Sequence, residues 1–223
     1  MASSKKILIF YITERSGHHC AALALKRAME EKDPGTRVLC LNAFSYLFPI
    51  IDRITHHTYL FVIKRMPFIW ERMYDNPRFV GKVRGVQARI HAQAVKKIKK
   101  LLDDFQPDAV VCTQAFPCGI IASYKKSFSS PLPLFAVLTD FLPHAFWVYE
   151  EVNHFFVPAE PTRRWLESNG VPQDKISISG IPIDPKFAIR LDRRELMIEY
   201  GLDPQKPAIL IMGGGHGLGP IKK

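Results

Sequence analysis

Ser16, Gly17 and His18 are the first residues in the sequence at which chemistry could sit. They follow a continuous apolar run, Ile7 to Ile12, and precede an alanine-rich stretch with helical spacing, which places them where a buried strand turns into a helix. Free backbone N–H groups and the positive end of the helix dipole at such a corner can face an anion or a developing oxyanion. His18 would stand beside them. A second group, Asp140 and His144, follows the apolar run Leu134 to Thr139, and polar residues just beyond the carboxyl end of a parallel strand lie where open α/β sheets bind ligands. Each also has an ordinary explanation, Asp140 as the cap of a turn and His144 as the partner of a neighbour. A third group is the glycine-rich turn GGGHGLGP (213–220) behind the run Ala208 to Met212, suited to bringing backbone N–H groups close to a phosphate. No metal set is expected. His56 and His57 are adjacent and would point to different sides of a helix, and Cys20, Cys40, Cys112 and Cys118 have no C-x-x-C spacing.

The elements that must position these residues alternate between strand and helix. Helical spacing from His18 to Glu31 stops at Pro34 and Gly35, and Arg37 to Leu41 reads as a second strand. That unit implies a parallel pair with a right-handed crossover, the opening of a doubly wound sheet. Val83, Val86, Ile90, Ala94, Ile98, Leu101 and Phe105 recur at three and four residues, the mark of a long amphipathic helix. Strands are expected at 108–113, 134–139, 154–157 and 176–178, with helices from the turn QAFPCG through Tyr124, at about 161–169 and from Arg193 to Gly201. Gly180, Pro182 and Pro185 mark a boundary. Ala208 to Met212 reads as a new buried strand, which restarts the α/β pattern. The expected division is therefore 1–204 as one domain and 205–223 as the beginning of another.

The 223 residues are 47% hydrophobic, ample for a globular core, and carry a formal net charge of +10. Lysine and arginine gather at 82–100 and around 64–72, a balance suited to anionic lipid surfaces or phosphorylated substrates. Nucleic acid is not expected as a partner, since no zinc-finger spacing, RNP-like aromatic motif or basic tail is present. The stretch 44–75 is dense in aromatic residues among cations. Tyr59, Phe61, Phe68 and Trp70 with Lys64 and Arg65 could bury rings at headgroup level while the cations meet lipid phosphates, although such a stripe packs against its own sheet equally often. No apolar run reaches the ~18 residues of a spanning helix, and the N-terminus has no signal-peptide cleavage pattern. The cysteines fit reduced, mostly buried thiols. A cytoplasmic protein at the membrane periphery is the expectation.

Five stretches in this order, SGHHCAALAL, LTDFLPHAFWV, HFFVPAE, SGIPIDPKF and ILIMGGGHGLGP, resemble the monogalactosyldiacylglycerol synthase and processive diacylglycerol glucosyltransferase family, across essentially the whole chain. The resemblance implies a GT-B fold, of which this chain would be the N-terminal, acceptor-binding Rossmann-like half with the start of the donor-binding half. It implies transfer of a hexose from a UDP-sugar to diacylglycerol with inversion, and no other cofactor. Matched by position, His18 is the implied base and Asp140 its orienting or charge-stabilising partner. Ser16, Gly17, His144 and Trp147 would shape the acceptor pocket, and Gly213, Gly214, Gly215 and Gly217 would place backbone donors at the diphosphate. The family turn usually reads GxGH. Arg15 stands here where its first glycine is expected, and His19 falls on a variable position. Two rival readings are an N-acetylglucosaminyltransferase acting on a polyprenyl-diphosphate lipid, and a non-catalytic peripheral lipid-binding module.

Overall fold

The computed structural model describes residues 4–49 and 94–212. Strands β1 (Lys6–Tyr11) and β2 (Arg37–Asn42) are joined by helix α1 (Gly17–Lys32). A short helix α2 (Ala43–Leu47) follows, and α3 covers residues 94–105. Then come β3 (Ala109–Cys112), α4 (Ala115–Phe128), β4 (Leu134–Val137), β5 (His154–Val157), α5 (Glu160–Ser168), β6 (Ile176–Ile178) and α6 (Arg193–Glu199). The strands form one six-stranded sheet in the order β2-β1-β3-β4-β5-β6, and every pairing is parallel. It is a Rossmann-like doubly wound α/β sheet, as expected.

Local chemistry sets the boundaries of α1. Ser16 caps its N-terminus by accepting from the His19 amide at 3.2 Å. At the other end the Asp33 amide closes on the Met29 carbonyl at 3.0 Å, and the Asp33 carboxylate takes the Gly35 amide and the Thr36 hydroxyl, each at 3.0 Å, turning the chain into β2.

The strand period divides the core between two faces. Leu8, Phe10, Val110, Cys112, Leu134, Ala136 and Phe155 pack against α3, α4 and α5 in the larger cluster, whereas Ile9, Tyr11, Val111 and Val137 share the smaller one with Ala22 of α1. The imbalance follows from connectivity. Only the β1-to-β2 crossover runs toward the β2 edge, and right-handed crossovers running in opposite directions place their helices on opposite faces. On the second face, Ala22, Leu25 and Met29 of α1 are the helical residues in the cluster.

Two expectations about elements change. Ala208 to Met212 is not a strand. Residues 208–212 are irregular, and Ile209, Leu210, Ile211 and Met212 are 69–84% exposed. A strand needs a neighbour to satisfy its backbone groups, and none pairs with this run among the described residues. The strand at 134–139 is also shorter, since its ladder ends at Val137; Leu138 still donates to the Phe156 carbonyl at 2.9 Å, and Thr139 is left free to face α1. The part of the amphipathic helix before residue 94 lies outside the described residues, as does the aromatic and basic stretch from Tyr59 to Trp70.

Candidate active site

The corner after β1 is built by its own polar groups. The Ser16 hydroxyl donates toward the Thr13 and Ile12 carbonyls, at 2.7 and 3.1 Å, while capping α1. The Ser16 hydroxyl is therefore engaged with the backbone of the turn. Among the described residues, no hydrogen bond engages the Gly17 or His18 amides, and Gly17 is exposed with open space around it. Two backbone donors at the positive end of a sixteen-residue helix are thus available.

His18, half-buried, is fixed from two sides. Its Nδ1 lies 2.7 Å from the Thr139 Oγ1 just past β4, and its carbonyl accepts from the fully buried Thr113 hydroxyl at 2.9 Å. Thr113 also ties β3 to β1 through its amide, which donates to the Phe10 carbonyl at 3.0 Å. His18 consequently sits over the carboxyl ends of β1, β3 and β4. The chain departs in opposite directions from β1 and β3, and such a switch point opens a crevice where α/β sheets bind ligands. Among the described residues no hydrogen bond occupies Nε2.

The neighbouring histidine is spent differently. His19 stacks on Tyr11 with centroids 4.3 Å apart, and its Nδ1 accepts the Arg15 amide at 3.1 Å. The Glu14 carboxylate lies 3.4 Å from that nitrogen and accepts the Tyr11 hydroxyl at 2.7 Å. Burial, with Glu14 beside it, pushes the Tyr11 phenol well above its ordinary range, so Tyr11 is a fixed hydroxyl, not a titrating one. His19 holds the turn together.

Asp140 is exposed and does not bond to His18 among the described residues; the orienting partner supplied by this loop is Thr139. The charge of Asp140 acts instead on His144. Burial holds the His144 imidazole below its ordinary value, with Asp140 drawing it up and His18 pushing it further down. His18, His144 and Asp140 thus form one electrostatic cluster. The loop carrying Asp140 and His144 is anchored by the fully buried Thr162 hydroxyl of α5, which donates to the Phe141 carbonyl at 2.9 Å. Trp147 is displaced from its expected role. It is 1% exposed and belongs to the larger core cluster, on the face opposite α1, because a ring of that size beside α4 gains most by full burial.

With this corner in place, the comparisons with known proteins are specific. Residues 18–183 match the monogalactosyldiacylglycerol (MGDG) synthase family. The chain belongs to that family.

Two curated relatives, both processive diacylglycerol beta-glucosyltransferases, align with the whole chain. The one from Bacillus cytotoxicus is 30% identical over 230 residues, and the one from Bacillus mycoides is 29% identical over 231. The chain covers 56% and 57% of their lengths, so it spans about half of each. Among solved structures, the apo form of the lipopolysaccharide outer core galactosyltransferase WaaB is 12% identical over 78% of this chain and 44% of its own, with a TM-score of 0.48, a likeness too weak to carry an argument.

Arg15, the departure from the family glycine, has a backbone explanation. Its φ is +60°, in the left-handed region, as is that of Thr13 at +64°. Glycine occupies this conformation without penalty, whereas arginine does so at a cost of about 1 kcal/mol. The turn therefore keeps a glycine-like geometry without the glycine. Thr113 and Thr139 are the site residues that sequence reading passed over. Thr113 stands directly after β3 and Thr139 two residues beyond β4, and a hydroxyl near the carboxyl end of a parallel strand was the available signal. Gly213, Gly214, Gly215 and Gly217 lie outside the described residues. Among the described residues, no group of three or more His, Cys, Asp or Glu side chains could hold a metal ion, and no helix is long and apolar enough to cross a membrane.

Proposed function

We propose that the polypeptide carrying this domain transfers a hexose from a UDP-sugar to the free hydroxyl of diacylglycerol, with inversion at the anomeric carbon. The observation that carries this reading is the His18–Thr139 pair at the switch point, 2.7 Å apart, beneath two unengaged amides of α1. With Nδ1 held by Thr139, Nε2 is the nitrogen that accepts the hydroxyl proton as the glycerol oxygen attacks the sugar carbon. The UDP leaves from the opposite face of the ring, and its diphosphate charge is met by backbone donors. Gly213, Gly214, Gly215 and Gly217 are assigned to that diphosphate. The Gly17 and His18 amides and the His144 ring line the acceptor side, and the exposed Asp140 carboxylate offsets the positive charge that builds on the histidine cluster. Tyr59, Phe61, Lys64, Arg65, Phe68 and Trp70 are assigned to an anionic membrane surface, where the lipid acceptor resides.

The test is hexose transfer from UDP-glucose and UDP-galactose to diacylglycerol by the whole natural polypeptide, unsubstituted and as His18→Ala. The expected result is a collapse in rate with UDP affinity retained. An unaltered rate removes His18 from the chemistry. Transfer only to a polyprenyl-diphosphate lipid transfers the reading to the N-acetylglucosaminyl branch, and binding to vesicles without transfer of any sugar leaves a lipid-binding module.

A further inference from the structure

Below His18 and Thr139, on the same face of the sheet, α1 does not close against β4 and β5. Val137 is buried here beside Ala22, but Phe135 and Phe156 are only partly buried where they pack near Leu25 and Met29. The result is a cavity of about 460 Å³. Phe135, Val137 and Phe156 form its floor, Leu25 and Met29 of α1 one wall, and Ile183 part of the opposite wall. The segment bearing Ile183 is tied to α1 by an ion pair between Arg27 and Asp184. The Asp184 carboxylate also accepts the Lys186 amide at 3.1 Å, which fixes the segment's direction. The lining is apolar almost throughout, with Ser179 the one side chain carrying a hydroxyl.

A cavity of this size and polarity is poorly suited to water, which needs two or more polar partners, and well suited to hydrocarbon. Its position says which hydrocarbon. Val137 stands two residues before Thr139, so the floor begins about 7 Å below the hydroxyl that holds His18. Val137 of the floor closes β4 two residues before Thr139, and Leu25 follows His18 by two turns on α1, so the cavity lies close beneath the proposed catalytic corner. The geometry points to an acyl-chain site: one fatty-acyl chain of the lipid acceptor lies between α1 and β4–β5, while its glycerol hydroxyl is presented to His18. This rests on the glycolipid-synthase reading and adds the part of the acceptor that confers affinity.

The experiment uses the whole natural polypeptide and two probes, dioctanoylglycerol and dipalmitoylglycerol. Ala28, at the lip of the cavity, is changed to Phe to shorten the space, with Ala28→Ser as a control of unchanged bulk. The ratio of kcat/KM for the long over the short acceptor is expected to fall about tenfold in Ala28→Phe and to stay near the unsubstituted value in Ala28→Ser. In parallel, a diacylglycerol carrying a mid-chain diazirine is photolysed on the unsubstituted protein, and the adduct is expected on residues 24–29 or 135–137. An unchanged ratio together with an adduct elsewhere overturns the proposal and leaves the cavity to another part of the polypeptide or a second copy. Failure of the unsubstituted protein to transfer sugar to either acceptor, with the adduct still on α1, overturns the catalytic reading while supporting the acyl site.

Discussion

Replacing Thr139 by valine removes one hydroxyl from beside His18 and leaves shape and volume nearly unchanged. The lost contact is the 2.7 Å approach of Oγ1 to His18 Nδ1. Between neutral partners such a bond contributes about 1 kcal/mol net, and about 1.5–3 kcal/mol when one partner is charged. A histidine that takes a proton from the acceptor hydroxyl becomes charged only as the transition state is approached. The rate therefore feels the difference between the two cases, about 0.5–2 kcal/mol, or roughly two- to thirtyfold in kcat. The folded state loses only the smaller, neutral part. Initial rates of hexose transfer across a diacylglycerol series should show kcat falling and KM nearly unchanged, with a urea-unfolding loss of about 1 kcal/mol. Thr139→Ser keeps the hydroxyl and should recover most of the rate, which a merely structural role for this position would not require. A valine variant within twofold of the unsubstituted rate, or a serine variant as slow as valine, would refute the assignment of Thr139 as the positioning residue.

Two further outcomes follow from the same corner. Arg15→Gly relieves a left-handed backbone at φ +60°; the gain of about 1 kcal/mol is partly offset by the greater freedom of glycine in the unfolded chain. Urea unfolding should therefore show unchanged to slightly raised stability, and a loss of 1 kcal/mol or more contradicts the strain argument. Burial holds His144 below its ordinary value of 6.5, so at mildly acid pH the unfolded chain binds a proton that the folded chain refuses. Stability must then decline as pH falls through about 6.5 and level off below the folded-state value. Comparing unfolding midpoints at pH 7.5 and 5.5, His144→Gln should lose part of that decline, and an identical slope in both proteins contradicts it.

Much of this domain was legible as residue pattern. The buried strands, the capped helix after Ser16 and the stops at Pro34 and Gly35 are local, because strand period, helix period and capping act over a few neighbouring residues. The candidate corner was legible for the same reason, since Ser16-Gly17-His18 sits where a strand meets a helix N-terminus. Long-range partnership was not. Nothing near Asp140 in sequence says that Thr139, one residue earlier, points at His18 while Asp140 turns to solvent, because both lie beyond the end of β4, where the strand period no longer sets the side chain's direction. Trp147 looked like a pocket residue beside His144, yet only the packing of α4 above it determines that the ring joins the core. Ala208 to Met212 has the composition of a buried strand but lacks a described neighbour to pair with, and pairing, not composition, makes a strand. The sequence by itself determined the alternation of elements and the histidine at the first turn of α1. Tertiary structure alone decided which hydroxyl holds that histidine and, through the direction of one crossover, which sheet face stays open beneath it.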